Sequence, residues 1–244
     1  FSSFVTQLRR SYECIAPAKT DLVRFEPIKK ADEINWDEQA YFPAKDYFFP
    51  QEEVLFQFDG NAIEVPVLEK PKRAFIGLRR CDLNAIHHQD MVFEKDAGDP
   101  YYKAARENSI LIGYHCPEPP SQFCFCGSLD LIDFHDLMLF DRDDHYLVEV
   151  GSEKGQALIE KCSELFVKHS RLMTQKEKVI PGADRLDNID ISAIHDHPGW
   201  QEGVDLCLSC SACTALCPTC YCFEIHDEVN SDNIGQGQRK RSWS

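Results

Sequence analysis

Six of the twelve cysteines in this 244-residue sequence lie within sixteen residues near its end. Cys207, Cys210 and Cys213 have the spacing C-x2-C-x2-C, and Cys217-Pro218 follows after three further residues. Three thiolates at this spacing can bind three corners of an iron-sulfur cube, and bacterial ferredoxins complete the pattern with C-x3-C-P. The run therefore predicts a 4Fe-4S cluster.

Cys217 is predicted to serve a different cluster, because the fourth cysteine of such a run ligates the other cluster in two-cluster ferredoxins. The cysteine triad that this second cluster needs is missing from the sequence. Cys220 and Cys222 follow at once, and we assign their side chains no role. A zinc ribbon has two C-x2-C pairs separated by a longer loop, and a thioredoxin-type motif has one pair, so neither accounts for this run.

Four upstream cysteines form a second candidate metal site. Cys81 and Cys116 each follow a short apolar segment, while Cys124 and Cys126 form a C-x-C pair in a loop that begins with three prolines. Soft thiolates favour iron-sulfur clusters or zinc over hard cations. We predict that these four thiols converge and hold a separate cluster.

The elements around Cys81 and Cys116 explain why these thiols should meet. The hydrophobic pattern predicts strands at residues 74–78 and 109–114, with helices at residues 83–93 and 100–107 between them. Two short apolar strands joined by helix are typical of a parallel βαβ unit. Ligands bind at the carboxyl ends of such strands, and the two cysteines lie just past those ends.

The rest of the chain predicts an α+β protein. The periodicity indicates an N-terminal helix with Phe1, Phe4, Val5 and Leu8 on one face, a hairpin joining 55–58 to 63–67, a strand at 146–150, and helices at 155–167 and 183–195. We predict a mixed α/β domain over residues 1–182. A small α-helical ferredoxin-like module, cut short, is predicted over residues 183–244. Cys14 and Cys162 are interpreted as buried hydrophobic residues.

Charge and composition exclude several classes of protein. The net charge of -15 would repel nucleic acid and acidic lipid surfaces, and the basic run at residues 239–241 is interpreted as a solvated tail. No stretch reaches the roughly 18 apolar residues of a membrane helix. Metal-like cysteine spacing without an apolar signal segment favours the reducing cytoplasm. Because Phe1 stands in place of an initiator methionine and nothing marks Ser244 as an end, we expect a chain cut at both ends.

Catalytic motifs are missing from the sequence. It contains no G-x-S-x-G elbow, no H-E-x-x-H zinc helix, no phosphate loop and no G-x-G-x-x-G fingerprint. Clusters without a substrate site indicate electron transfer by a non-catalytic subunit, whose protein part positions the clusters and tunes their potentials. The alternative from another class is a zinc-stabilised docking module without redox activity.

Four motifs together resemble the beta subunit of cytosolic nickel-iron sulfhydrogenases, and a related iron-sulfur component of anaerobic sulfite reductase is similar. They are FIGLRRCD at residues 75–82, IGYHC at 112–116, FCFC at 123–126, and CLSCSACTALCPTCYCF at 207–223. The resemblance covers nearly the whole chain. It implies that Cys207, Cys210, Cys213 and Cys217 are cluster ligands, and its motifs also include the four upstream cysteines.

The resemblance also implies partners and a missing segment. It implies a dicluster subunit that relays electrons between a flavin subunit using NAD(P)H and a catalytic subunit. That catalytic subunit is a nickel-iron hydrogenase or, in the alternative, a sulfite reductase. The family continues into a second C-x2-C-x2-C-x3-C-P run, whereas this sequence ends at Ser244. We therefore expect a fragment; the other interpretation is that Cys220 or Cys222 completes a single cluster.

Overall fold

The computed structural model describes residues 1–96, 98–169 and 173–243. Within these residues the chain forms six α-helices and ten strands, which make one six-stranded and one four-stranded sheet. This mixed α/β architecture confirms the coarse fold class predicted from the sequence. No helix of the described part is both long and apolar enough to cross a membrane.

The larger sheet has the strand order β2-β1-β5-β6-β7-β8. Its strands are β1 (Glu13–Lys19), β2 (Val23–Pro27), β5 (Arg73–Leu78), β6 (Ser109–Tyr114), β7 (Leu137–Asp141) and β8 (Tyr146–Val150). The four central strands are parallel, and the two edge strands are antiparallel to their neighbours. All six residues of β6 are buried, as expected for a parallel strand covered on both faces.

Helices cover both faces of this sheet. They are α1 (Ser2–Leu8) and α4 (Glu153–Lys161) on one face, and α2 (Arg80–Phe93) and α3 (Pro100–Glu107) on the other. Successive side chains of β5 point to opposite faces of the sheet and so belong to two separate core clusters. Ile76 packs with α1 and α4, and Phe75 packs with α2 and α3. The predicted amphipathic N-terminal helix is confirmed, with Phe4, Val5 and Leu8 buried.

The predicted βαβ unit is also confirmed. The β5 and β6 strands are parallel neighbours, and α2 and α3 connect them. The Asp82 side chain accepts a hydrogen bond from the Arg79 backbone N–H at 3.0 Å, so α2 begins at Arg80. This start is earlier than the predicted residue 83, and it places Cys81 inside the first helical turn.

The smaller sheet has the strand order β4-β3-β10-β9 and is antiparallel throughout. Its strands are β3 (Glu52–Asp59), β4 (Ala62–Glu64), β9 (Phe223–Asn230) and β10 (Asn233–Trp243). The predicted hairpin is confirmed: β3 and β4 are joined at Gly60, whose φ of 57° suits a tight turn. Strands from both sides of residue 182 share this sheet, and the predicted domain boundary there stays a prediction.

The prediction of a solvated basic tail at residues 239–241 is wrong. These residues lie in β10, between β3 and β9. Acidic side chains on the neighbouring strands pair with them: Arg239 with Asp227, Lys240 with Glu52, and Arg241 with Glu53. Opposite charges on adjacent strands stabilise a sheet, so a charged run need not be a tail. Residues 183–244 were predicted to form a helical module. They include the two long strands β9 and β10, so this segment is not wholly helical.

Two predicted helices differ from the structure: one is shorter than expected and the other is replaced by turns. The helix at 155–167 is α4, which begins at Glu153 and ends at Lys161 before a 3-10 turn at Ser163–Leu165. The helix at 183–195 is replaced by turns, with one 3-10 helix at Ile191–Ile194. Short polar side chains compete with helical hydrogen bonds there, and Asp190 accepts a hydrogen bond from the Ser192 backbone N–H at 3.0 Å.

Candidate metal centres

The four upstream cysteines line one cleft of about 260 Å³ that opens to solvent. Cys81 comes from the first turn of α2, Cys116 follows β6, and Cys124 and Cys126 come from the proline-rich loop. The structure thus brings together all four thiols that were predicted to converge. Their role as ligands stays a prediction.

Strand register explains why Cys81 and Cys116 meet. Leu78 pairs with Gly113 in the parallel ladder between β5 and β6. Each cysteine lies three positions beyond its paired residue, so both leave the sheet at the same edge. This is the carboxyl end of the parallel strands, where open α/β sheets bind their ligands.

The sulfur spacing tests which metal group the cleft suits. Four thiolates around a tetrahedral zinc ion, with Zn–S bonds of about 2.3 Å, would lie about 3.8 Å from one another. Throughout the described residues, no three cysteine sulfur atoms all lie within 4.8 Å of one another. In every set of three described cysteines, at least one pair of sulfur atoms is therefore farther apart than a single zinc ion requires.

A buried guanidinium stands beside this cleft. Arg79 donates a hydrogen bond from Nη1 to the Cys116 sulfur at 3.0 Å, and its Nη2 donates to the backbone oxygens of Trp36 and Glu38. Only 7% of Arg79 is exposed. Sequence reasoning missed this role, although the position of Arg79 between a predicted strand and Cys81 was a signal. Hydrogen bonds of this kind orient metal ligands and tune cluster potentials.

Burial sets the acidity of the cleft thiols. It raises the pKa of Cys81, Cys116 and Cys126, and the Arg79 charge partly opposes this effect at Cys116. A metal group binds the thiolate form and displaces the proton. Cluster binding at this cleft would therefore be favoured by rising pH.

The loop that carries Cys126 packs closely against the segment that follows Pro181. The Gly127 backbone N–H donates to the Ala183 oxygen at 2.8 Å, and a Cβ on Gly127 would lie 2.9 Å from that same oxygen. Buried Ala183 packs with Cys116 and Ile180, with Cys126 alongside. Gly127 is needed here because two backbone segments approach closely.

Gly127→Ala is expected to destabilise the protein by about 1–3 kcal/mol, because overpacking forces the 181–184 backbone away from the cleft. Thermal unfolding of the variant and its parent measures the loss. Gly203→Ala is the matched control, since a Cβ there meets nothing within 4 Å and alanine favours helix by up to about 1 kcal/mol. An equal melting temperature for parent and Gly127→Ala would contradict the close-approach argument.

The downstream cysteines lie at the surface. Cys207, Cys210 and Cys213 are exposed, and Cys217 is half-buried at the end of helix α6 (Ala212–Leu216). A second short helix, α5 (Gly199–Asp205), precedes the run. These four cysteines lie along one loop and helix α6, and their role as ligands stays a prediction.

The backbone between the first three downstream cysteines contains two left-handed residues. Ser209 and Ser211 both have positive φ, at 53° and 58°, a region that non-glycine residues rarely adopt. One left-handed residue therefore lies in each gap of the C-x2-C-x2-C run.

Cys217 is the most acidic thiol of this group for which a shift is resolved. Burial pushes its pKa up, but the Thr219 hydroxyl at 3.2 Å, nearby backbone N–H groups and the Lys45 ammonium outweigh burial, and its net pKa is lowered. By contrast, the neighbouring Cys220 thiol raises the pKa of Cys222. Cys217 is thus favoured as a thiolate ligand.

Helix α2 contacts both cysteine groups. Its first turn carries Cys81, and eight residues later the buried Gln89 donates a hydrogen bond to the Pro218 oxygen at 3.1 Å. The His88 ring lies 6.0 Å from the ring of Tyr221. At 1.5 Å per residue, Cys81 and Gln89 are roughly 12 Å apart along the helix. One helix therefore spans the distance between the two candidate centres.

In the described structure, one group of potential ligands has its ligand atoms within 4.8 Å of one another, namely Glu52, His226 and Glu228. All three are exposed on the smaller sheet. The Lys240 ammonium lies 2.9 Å from a carboxylate oxygen of both glutamates. Lysine already neutralises these carboxylates, so we assign no metal to them.

The cysteine geometry and the sequence comparisons define the class of protein. Residues 206–244 match the family model described as a 4Fe-4S dicluster domain. The chain is an iron-sulfur protein, and its C-terminal cofactors are 4Fe-4S clusters, as predicted. The match begins one residue before Cys207 and includes the whole downstream run.

A particular relative narrows this class. The chain is 28% identical to Sulfhydrogenase 2 subunit beta of Pyrococcus furiosus in an alignment that covers 93% of this chain and 72% of that protein. This similarity confirms the resemblance to sulfhydrogenase beta subunits predicted from the four motifs. No solved structure matches the chain.

Proposed function

We propose that the chain is an electron-relay subunit of a hydrogenase complex, in which an upstream cluster and the clusters of the dicluster domain exchange electrons. The observation that carries this proposal is that α2 carries one upstream cysteine and contacts the downstream cysteine segment. Cys81 lies in its first turn and Gln89 binds the residue after Cys217, so the two sites are adjacent through one helix. The clusters supply the one-electron chemistry when bound.

The residues of the chain hold and tune the sites. Cys81, Cys116, Cys124 and Cys126 are the proposed upstream ligands. Downstream, Cys207, Cys210 and Cys213 are the proposed ligands of one cluster, and Cys217 contributes to the next. Arg79 fixes the orientation of Cys116 and places a positive charge at the upstream site. This arrangement would allow the chain to set different reduction potentials for the upstream and downstream clusters.

Partners follow from the similarity to a sulfhydrogenase subunit. We propose that one end of the relay meets an NAD(P)H-linked flavin subunit and that the other end meets the catalytic subunit of a nickel-iron hydrogenase. A hydrogenase partner is favoured over a sulfite reductase because the relative named above is a sulfhydrogenase subunit. A cytoplasmic location is proposed with it, since the thiols must stay reduced to bind clusters.

The proposal is tested by metal analysis of the anaerobically purified full-length subunit in its complex. We expect iron and acid-labile sulfide equivalent to more than one cluster per chain, a brown colour that dithionite bleaches, and interacting electron paramagnetic resonance signals after reduction. The two groups of cysteines explain this expectation, since soft thiolates retain iron-sulfur clusters. A colourless full-length subunit with stoichiometric zinc, once separated from its partners, would instead establish the docking module without redox activity.

A further inference from the structure

A buried lysine from the N-terminal half reaches the downstream cysteines. Lys45 lies in a 3-10 helix at Ala44–Tyr47 and is only 2% exposed. Its Nζ donates a hydrogen bond to the backbone oxygen of Thr214 at 2.7 Å and lies 4.1 Å from the centre of the Trp243 ring. Thr214 is in α6, between Cys213 and Cys217, so Lys45 anchors the ligand-bearing turn directly.

The titratable side chains that interact with Lys45 are mainly thiols. Burial lowers the pKa of Lys45, and Cys220, Cys217, Asp46 and Cys222 oppose that effect in this order. Within the described part of the chain, Lys45 forms no salt bridge with a carboxylate. A buried ammonium without a carboxylate partner is costly. When the nearby cysteines bind a cluster they are thiolates, and they would then supply the compensating negative charge.

We infer that Lys45 is a positioning residue for the cluster to which Cys217 contributes, holding the α6 turn through Thr214 and stabilising the reduced cluster with its charge. The inference rests on the proposed function, because it requires a cluster at Cys217. No other part of the N-terminal half is seen to place a buried cation against the downstream cysteines in the described structure. The α/β domain would therefore set a potential in the dicluster domain.

The direction of the effect follows from electrostatics. Reduction adds one negative charge to a cluster, and a nearby positive charge in a partly buried site favours the reduced form. The Trp243 ring and the Thr214 oxygen hold the ammonium in place, so its charge acts at a fixed position. Removing the charge should lower the midpoint potential of this cluster and leave the upstream cluster, which lies beyond α2, little changed.

The test compares three variants of the full-length subunit in its complex. Lys45→Met removes the charge and the donor, Lys45→Gln removes the charge but keeps an N–H donor for Thr214, and Lys45→Arg keeps a cation. Lys103→Met is the control, because Lys103 is an exposed residue of α3 that pairs with Glu107. The readouts are iron and sulfide per chain and a redox titration followed by electron paramagnetic resonance.

We expect Lys45→Met and Lys45→Gln to shift the reduction equilibrium of one cluster at least tenfold toward the oxidised form, which is about 59 mV for one electron. Lys45→Arg and Lys103→Met should titrate like the parent. If Lys45→Met loses iron, a lowered potential in iron-replete Lys45→Gln still supports the inference. A parent-like potential in Lys45→Gln overturns it. Absence of iron from the unaltered protein would instead overturn the proposed function.

Discussion

Replacing both Cys124 and Cys126 with serine is expected to remove about one cluster's worth of iron and sulfide from each chain. The two residues supply half of the thiols in the upstream cleft, and both come from the same short loop. A serine hydroxyl is a harder and far less acidic ligand than a thiol, so it does not replace a soft thiolate at iron. The remaining Cys81 and Cys116 cannot hold a four-ligand cluster alone.

The measurement is iron and sulfide content of the anaerobically purified complex, together with the number of reducible signals in electron paramagnetic resonance. Cys14→Ser and Cys162→Ser are the matched controls. Both residues are 2% exposed in the core beside the larger sheet, apart from the cleft. These variants should keep all their iron even where the buried hydroxyl costs stability. A folded Cys124→Ser/Cys126→Ser protein with parental iron would show that the loop thiols are packing residues.

The elements around the upstream site were predictable because their signals are local. Apolar runs at β5 and β6, with helical periodicity between them, predict a parallel βαβ unit, and parallel topology alone brings Cys81 and Cys116 to one edge. Asp99 followed by Pro100 marks the start of α3, and the Asp99 side chain caps it by accepting from the Tyr101 and Tyr102 backbone N–H groups. The buried roles of Cys14 and Cys162 were also predicted correctly.

The charged residues that complete the sites were not predictable in the same way. Arg79, Lys45 and Arg241 resemble surface residues in a sequence, because lysine and arginine are rarely buried without a partner. Their partners lie far along the chain: Cys116 for Arg79, and Thr214, 169 residues away, for Lys45. Only the tertiary fold brings these groups together, and sequence periodicity carries no signal for it.

The dependence on residues far along the chain also explains why residues 239–241 of β10 were wrongly predicted to be a solvated tail. Its residues alternate weakly, and its charges suggest solvent when the neighbouring strands are unknown. The strand is held instead by cross-strand pairs to β3 and β9, including the bidentate pair between Arg239 and Asp227. The register shift between Arg239 and Lys240 further obscures any period of two. A partner strand from the first sixty residues was needed to recognise this one.

Arg241→Met is expected to lower the free energy of unfolding by about 3 kcal/mol, because removing one partner of a buried ion pair leaves carboxylates without compensation. Arg241 is 2% exposed. It donates to Glu53 at 2.6 Å and also to Asp99, which joins β10 to β3 and to the start of α3. The Arg241 guanidinium also lies 5.0 Å from the Phe49 ring. The loss falls at the low end of the usual range of about 3–5 kcal/mol, because Lys70 still pairs with Glu53 at 3.1 Å.

Arg239→Met is the matched control, since Arg239 lies two positions away in the same strand but pairs with Asp227 at the surface. Exposed pairs contribute little, so this variant should unfold close to the parent. At a urea slope of about 3 kcal/mol/M, the loss at Arg241 would lower the midpoint by about 1 M. Far-ultraviolet circular dichroism measures the midpoint of the full chain. Equal urea midpoints for Arg241→Met and Arg239→Met would show that the stability change comes from losing any positive charge on β10 and not from losing the buried ion pairs of Arg241. A selective loss at Arg241 would mean that the residue attaches the C-terminal strand, and with it the downstream cysteines, to β3 and to the start of α3.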